Sequence, residues 1–182
     1  MSDCPVLAVD LDGTLIRSDM LFETFRQAAA ADWTVPFRAA WTLRHGRAVL
    51  KARLTDMVEI DPATLPYNGA VQDFIGLWRE QGWRVALVTA SDQRIADQIA
   101  AYVGLFDEVH GSDGTLNLKG PAKAAFLRKR FGTKGYVYIG DAFADLPVWA
   151  DAARAVVVTP SRALRRKVAA LGVPYETIGT GA

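Results

Sequence analysis

The sequence predicts an α/β fold on a parallel sheet, because short apolar runs alternate with helix-periodic stretches. The apolar runs also end abruptly at acidic or hydroxyl residues followed by turn formers. A third observation is the long interval after the first run, where the alternation lapses, which marks an insertion.

Val6 to Val9 has the length and composition of a buried strand and stops at Asp10. From Ile16 to Gln81 the strand-helix rhythm is absent, and Phe22, Phe25, Trp33, Phe37, Trp41, Leu50 and Leu54 give the interval a helical character. Residues 16–81 are therefore assigned to an inserted helical cap, with 1–15 and 82–182 forming the core domain. Arg84 to Val88 is the second strand and ends at Thr89. Ser91-Asp92 can cap the next helix, whose apolar positions are Ile95, Ile99, Tyr102 and Val103. A weaker strand is expected from Asp107 to His110. Tyr136 to Ile139 repeats the plan of the first run and ends at Gly140-Asp141, while Ala155 to Val158 is closed by Thr159-Pro160. Leu164, Val168 and Leu171 recur at helical spacing, and Gly172 stops that helix.

Composition narrows the function classes. A chain of 182 residues, 51% of them hydrophobic, can bury the core of one domain with one sizeable insertion. Lysine and arginine total 21 against 20 acidic residues, which argues against a nucleic-acid binder and leaves any electrostatic specialisation local. Cys4 is the single cysteine, so no intramolecular disulfide can form and a reducing, cytoplasmic setting is expected. The opening lacks the pattern of a secretory leader, and no uncharged run approaches the ~20 residues of a membrane-spanning helix. The chain is expected to be soluble.

In open parallel sheets ligands bind beyond the carboxyl ends of the strands, so chemistry is sought there. Asp10 and Asp12 lie two apart after a hydrophobic strand and point to one side if the backbone stays extended; Gly13 then permits a sharp departure. An isolated Asp-Gly is usually a turn. Two like charges at the edge of a core, however, are costly unless a cation or a proton lies between them, and that cost points to a site.

Asp10-Leu11-Asp12-Gly13-Thr14-Leu15 resembles the first motif of the haloacid dehalogenase superfamily in its phosphatase form. Val85-Ala86-Leu87-Val88-Thr89-Ala90-Ser91 is similar to the second motif, a strand whose final hydroxyl residue binds the phosphoryl group. Asn117-Leu118-Lys119-Gly120 resembles the lysine motif, and Gly140-Asp141-Ala142-Phe143-Ala144-Asp145 the acidic fourth motif. The resemblance spans nearly the whole chain. It implies a three-layer Rossmann-like core with a helical C1 cap, and hydrolysis of small phosphorylated metabolites with Mg²⁺. Asp10 is then the nucleophile and Asp12 the general acid and base, with Thr89 and Lys119 holding the transferring oxygens. The ion is implied to rest on the Asp10 side chain, the Asp12 backbone carbonyl and Asp141, with Asp145 orienting it. Lys123 is the alternative to Lys119; the Lys-Gly step, similar to the phosphoserine-phosphatase branch, favours Lys119. Each of these residues has a plainer reading, since Thr89 could cap a helix, lysines before helices are usually solvated, and Asp141 and Asp145 could serve a helix dipole.

Stretches such as Leu65-Pro66-Tyr67-Asn68, Thr89-Ala90-Ser91-Asp92 and Phe106-Asp107-Glu108-Val109 look most like the soluble domain fused ahead of membrane prenyltransferases of the UbiA superfamily. That implies a peripheral membrane or prenyltransferase association. Trp33 to Arg53 carries Arg38, Arg44, Arg47, Lys51 and Arg53 with no acidic residue, which suits a solvated helix face, an anionic substrate or an anionic membrane surface. A receiver domain is set aside because its phosphorylated Asp ends the third strand. A dehalogenase is disfavoured because that chemistry needs neither Asp12 nor a metal. The rival reading is a weak or inactive regulatory or scaffold domain.

Overall fold

The computed structural model describes residues 5–20, 60–113 and 117–179. Among them six strands form one parallel sheet: β1 Val6–Val9, β2 Val85–Asp92, β3 Glu108–Ser112, β4 Tyr136–Gly140, β5 Arg154–Val158 and β6 Tyr175–Ile178. The helices are α1 Gly69–Glu80, α2 Gln93–Val103, α3 Pro121–Phe131, α4 Leu146–Asp151 and α5 Arg162–Ala169. The expected α/β fold, a three-layer Rossmann-like parallel sheet, is the one observed.

Strand alternation divides the interior into two cores. Leu7, Val9, Val85, Leu87, Val137, Ile139, Val156 and Val158 face one side, where they pack with Val71, Ile75 and Trp78 of α1 and with Ile95, Ala96 and Ile99 of α2. Their neighbours Val6, Ala8, Ala86, Val88, Tyr136, Tyr138, Ala155 and Val157 face the other side, against Leu127 of α3, Val148 and Trp149 of α4, and Leu164 and Val168 of α5. Runs apolar at every position are what a sheet covered on both faces requires.

The strand order is β3-β2-β1-β4-β5-β6. From β1 the chain works outward through β2 and β3, then returns to the other side of β1 for β4, β5 and β6. The switch point therefore falls between β1 and β4, where such sheets hold their ligands. Val9 pairs with Ile139, and the Asp10 amide donates to the Ile139 carbonyl at 3.0 Å, so the ends of the two strands are level.

Local signals explain most boundaries. Asp92 caps α2 by accepting from the Arg94 amide at 2.9 Å, and Gly104 closes that helix in the left-handed region. Ser161 caps α5 through the Leu164 amide at 3.2 Å. β6 was not expected. It is a short edge strand whose Tyr175-Glu176-Thr177-Ile178 is half-exposed, so it lacks the apolar run that marks the inner strands. The described end of the 16–81 interval includes α1, which is built onto the sheet through Val71, Ile75 and Trp78. Residues 21–59, with the cap aromatics and the basic segment, lie outside the described residues. Among the described residues no helix is long and apolar enough to cross a membrane.

Ile75 is fully buried at the centre of the α1–sheet contact. Ile75→Ala removes its contacts and leaves a cavity, so it should lower unfolding free energy by about 2–5 kcal/mol in a denaturant titration. A change below about 1 kcal/mol would show that α1 does not anchor the sheet.

Candidate active site

The site grows from the turn after β1. Beyond Val9 the chain folds back at once, with the Thr14 and Ile16 amides donating to the Leu11 carbonyl and the Leu15 amide to that of Asp10. Gly13 takes φ +74°, and a Cβ there would lie 2.3 Å from Asp141 Oδ2. Glycine is thus needed both for the turn and for the approach of the fourth-motif carboxylate. Gly140 has a similar duty, since a Cβ on it would meet Asp145 Oδ2 at 2.7 Å.

Asp10, Asp141 and Asp145 converge at the switch point, each offering a carboxylate oxygen within 4.8 Å of the others. Asp10 Oδ1 accepts from the Leu11 amide at 2.8 Å and from Lys123 Nζ at 2.8 Å. Both bonds fall on the same oxygen. Lys123 also donates to the Tyr138 hydroxyl at 2.9 Å, which in turn donates to Asp145 Oδ1 at 2.9 Å. The second Asp145 oxygen accepts from the Ala142 amide at 3.1 Å, and Asp141 Oδ1 accepts from the Thr14 hydroxyl at 3.2 Å.

Asp12 is held apart from this cluster. Its Oδ1 accepts from the Met20 amide at 2.6 Å and its Oδ2 from the Ser91 hydroxyl at 2.8 Å. Thr89 is fully buried at the end of the apolar part of β2, and its hydroxyl accepts from the Ser91 amide at 3.0 Å.

The electrostatics follow from crowding. Burial, reinforced by the Asp10 charge and then that of Asp145, pushes the Asp141 carboxyl up to about 7. Asp145 is raised to about 6, by burial first and the Asp10 charge second. Burial also raises Asp12, with Asp10 adding to the effect, while the bonds from Met20 and Ser91 oppose it. The Tyr138 hydroxyl is held well above its ordinary range, mainly by burial, and stays a proton donor to Asp145. A cluster of oxygen donors too crowded to ionise fully near neutral pH fits a hard divalent cation such as Mg²⁺, which would relieve the repulsion. Among the described residues, Asp10, Asp141 and Asp145 are the side chains placed to hold it.

Of the expected residues, the structure brings Asp10, Asp141 and Asp145 together, holds Asp12 and Thr89 each against Ser91, and leaves Lys119 apart from them. Lys119 is exposed on the turn before α3, whereas Lys123 is 2% exposed and contacts Asp10. Gly120 turns the chain at φ +54° and Pro121 starts the helix, so the inward position of the first turn falls at 123. Ser91, Thr14 and Tyr138 were not singled out as site residues. Thr14 and Ser91 lie inside the motif segments, but the alternation that turns Tyr138 into the α3–α5 side gives no sign that its hydroxyl reaches Lys123 and Asp145.

Comparison with known proteins places this geometry in context. A family profile described as haloacid dehalogenase-like hydrolase matches residues 4–153. The uncharacterized protein y4nM of Sinorhizobium fredii is 39% identical over 172 residues, covering 94% of this chain and 33% of y4nM. The chain thus spans about a third of that relative's length. A phosphoglycolate phosphatase of Cereibacter sphaeroides is 28% identical over 171 residues, covering 78% of each sequence. Among solved structures, a substrate-bound phosphoserine phosphatase complex superposes with a TM-score of 0.62 at 17% identity over 90% of each chain. A phospho-aspartyl intermediate analogue of phosphoserine phosphatase gives a TM-score of 0.64 at 18% identity, again over 90% of each chain.

The raised carboxyls couple stability to pH. In the folded protein Asp141 keeps its proton up to about 7, against an ordinary aspartate value of 3.8, so its contribution is present at low pH and is lost as pH rises through about 7. Asp145, at about 6, acts in the same direction. In metal-free protein, Asp141→Asn should flatten the fall in unfolding free energy between about pH 4 and pH 8, measured by denaturant titration across that range. An unchanged slope in the variant would mean that Asp141 is not strained by its neighbours.

Proposed function

The chain belongs to the haloacid dehalogenase-like hydrolases, and on that premise we propose that it is a Mg²⁺-dependent phosphohydrolase cleaving a small phosphate monoester through an aspartyl-phosphate on Asp10. The observation that carries the reading is the buried Lys123–Asp10 contact beside Asp141 and Asp145, at the switch point of the sheet. Phosphatases among the relatives, and the phospho-aspartyl intermediate analogue among the proteins of the same fold, support it. A purely regulatory or scaffolding domain is not favoured, because Asp10, Asp141, Asp145 and Lys123 converge as turnover would require.

A bound Mg²⁺ would supply positive charge against the phosphoryl oxygens at Asp10, Asp141 and Asp145, with the Asp12 carbonyl as a further oxygen donor. The residues of the chain do the rest. Asp10 Oδ2 attacks phosphorus while Oδ1 stays anchored by Leu11 and Lys123. Lys123 and the Thr89 hydroxyl, with the amides after it, hold the transferring oxygens as charge moves onto them. Asp12, whose carboxyl is raised by burial, gives its proton to the departing alkoxide. It then takes a proton from the water that attacks the aspartyl-phosphate, and Asp10 is released. Tyr138 ties Lys123 to Asp145, so the amine and the acid are placed by one hydroxyl.

Specificity is assigned to the helical C1 cap expected over residues 16–81. The likeness to the domain fused to UbiA prenyltransferases, together with the greater length of y4nM, supports a setting in which such a domain is joined to further sequence. A membrane or prenyltransferase association is proposed on that basis, and a cytoplasmic site on the single cysteine.

A panel of phosphate monoesters assayed with and without Mg²⁺ tests the activity. Asp10→Asn should keep the fold and lose turnover, because an amide of similar shape neither attacks phosphorus nor balances the charge of Lys123. Lys123→Ala should cost on the order of 100-fold or more in kcat/KM while Lys119→Ala stays within about 2-fold. Near wild-type turnover by Asp10→Asn would refute the mechanism, and the reverse order of the lysines would refute the assignment of Lys123.

A further inference from the structure

We propose that Ser91 is a positioning residue for proton transfer, holding Asp12 at the reacting oxygens through both halves of the reaction. The inference rests on the phosphohydrolase reading above and adds a residue to it. Ser91 is 3% exposed and its hydroxyl lies 2.8 Å from Asp12 Oδ2, on a strand end otherwise remote in sequence from the first motif. Its own backbone is fixed in turn. The Ser91 amide donates to the Thr89 hydroxyl at 3.0 Å, and β3 presses against the segment so closely that a Cβ on Gly111 would lie 2.5 Å from the Gln93 Cα and 3.1 Å from the Ser91 carbonyl oxygen.

Met20 donates a backbone N–H to Oδ1 and the Ser91 hydroxyl donates to Oδ2, whether the group is the carboxylate or the acid, so neither takes up the proton that is to be transferred. Ser91 can thus keep Asp12 in one orientation whether or not it carries a proton. In the first half-reaction the Asp10–phosphorus bond forms, the bond to the leaving oxygen breaks, and the Asp12 proton goes to that oxygen. In the second, a water oxygen bonds to phosphorus, the Asp10–phosphorus bond breaks, and Asp12 recovers a proton from the water. A carboxyl free to rotate between these events would be misplaced in one of them.

Leaving-group dependence separates this role from a structural one. An alkoxide must be protonated as it departs, whereas 4-nitrophenolate leaves without help, and kcat/KM reports the steps up to that departure. Ser91→Ala should lower kcat/KM by about 10-fold or more for the best alkyl phosphate of the panel and by less than about 2-fold for 4-nitrophenyl phosphate. Ser91→Cys, close in shape with a weaker donor, should show the same ordering. In an Asp12→Asn background, Ser91→Ala should add no further loss. Equal losses for both substrates, no loss for either, or an additive loss in the double variant would overturn the proposal while leaving the phosphohydrolase reading intact. Turnover by Asp10→Asn, or an Asp12→Asn variant indifferent to the leaving group, would overturn both.

Discussion

The repulsion among Asp10, Asp141 and Asp145 is the constraint around which the rest of this structure is arranged. Three carboxyl groups within 4.8 Å of one another, two of them buried, would normally be expelled to solvent or neutralised. Here they are retained by groups that cannot move away: the Leu11 and Ala142 amides, the Thr14 and Tyr138 hydroxyls, and Lys123. Burial first, and the Asp10 charge second, still leave the Asp141 and Asp145 carboxyls raised. On the proposed reading, a site short of positive charge takes up a divalent cation and, beside it, an anionic phosphate.

The fold makes this tolerable by putting the strain where packing is firmest. β1 and β4 are the central pair, buried on both faces, with Val9 and Ile139 in register immediately before the acids begin. Glycines at 13 and 140 remove the side-chain atoms that would otherwise collide with Asp141 and Asp145. Among the described residues the two apolar cores lie on opposite faces of the sheet, so a carboxylate at a strand end is supported from α1 and α2 on one side and from α3 to α5 on the other. Tyr138 shows how the layers communicate. It belongs to the α3–α5 core by alternation, yet its hydroxyl reaches the site and joins Lys123 to Asp145.

How much of this was legible in the sequence depended on whether a signal was local. The inner strands announced themselves as apolar runs with abrupt polar ends, and those ends carry Asp10, Thr89 and Asp141. β6 did not, because an edge strand needs no continuous apolar run. The choice between Lys119 and Lys123 turned on helical phase after the Gly120-Pro121 break, which a Lys-Gly step cannot reveal. Ser91 was legible as a residue near a helix start, but its contact with Asp12 spans 79 positions and depends on how β2 ends beside β1. Long-range pairings of this kind follow from topology rather than from spacing.

The proposed mechanism turns on one chemical event, transfer of a phosphoryl group to Asp10. Brief reaction of the protein with a turned-over phosphate monoester and Mg²⁺, quenched in acid and mapped by peptide mass spectrometry, tests it most directly. The account predicts phosphate on the peptide containing Asp10 and on no other, accumulating further in Asp12→Asn, where the water is not activated. Steady turnover with Asp10 unmodified, or with phosphate carried on another residue, would contradict it.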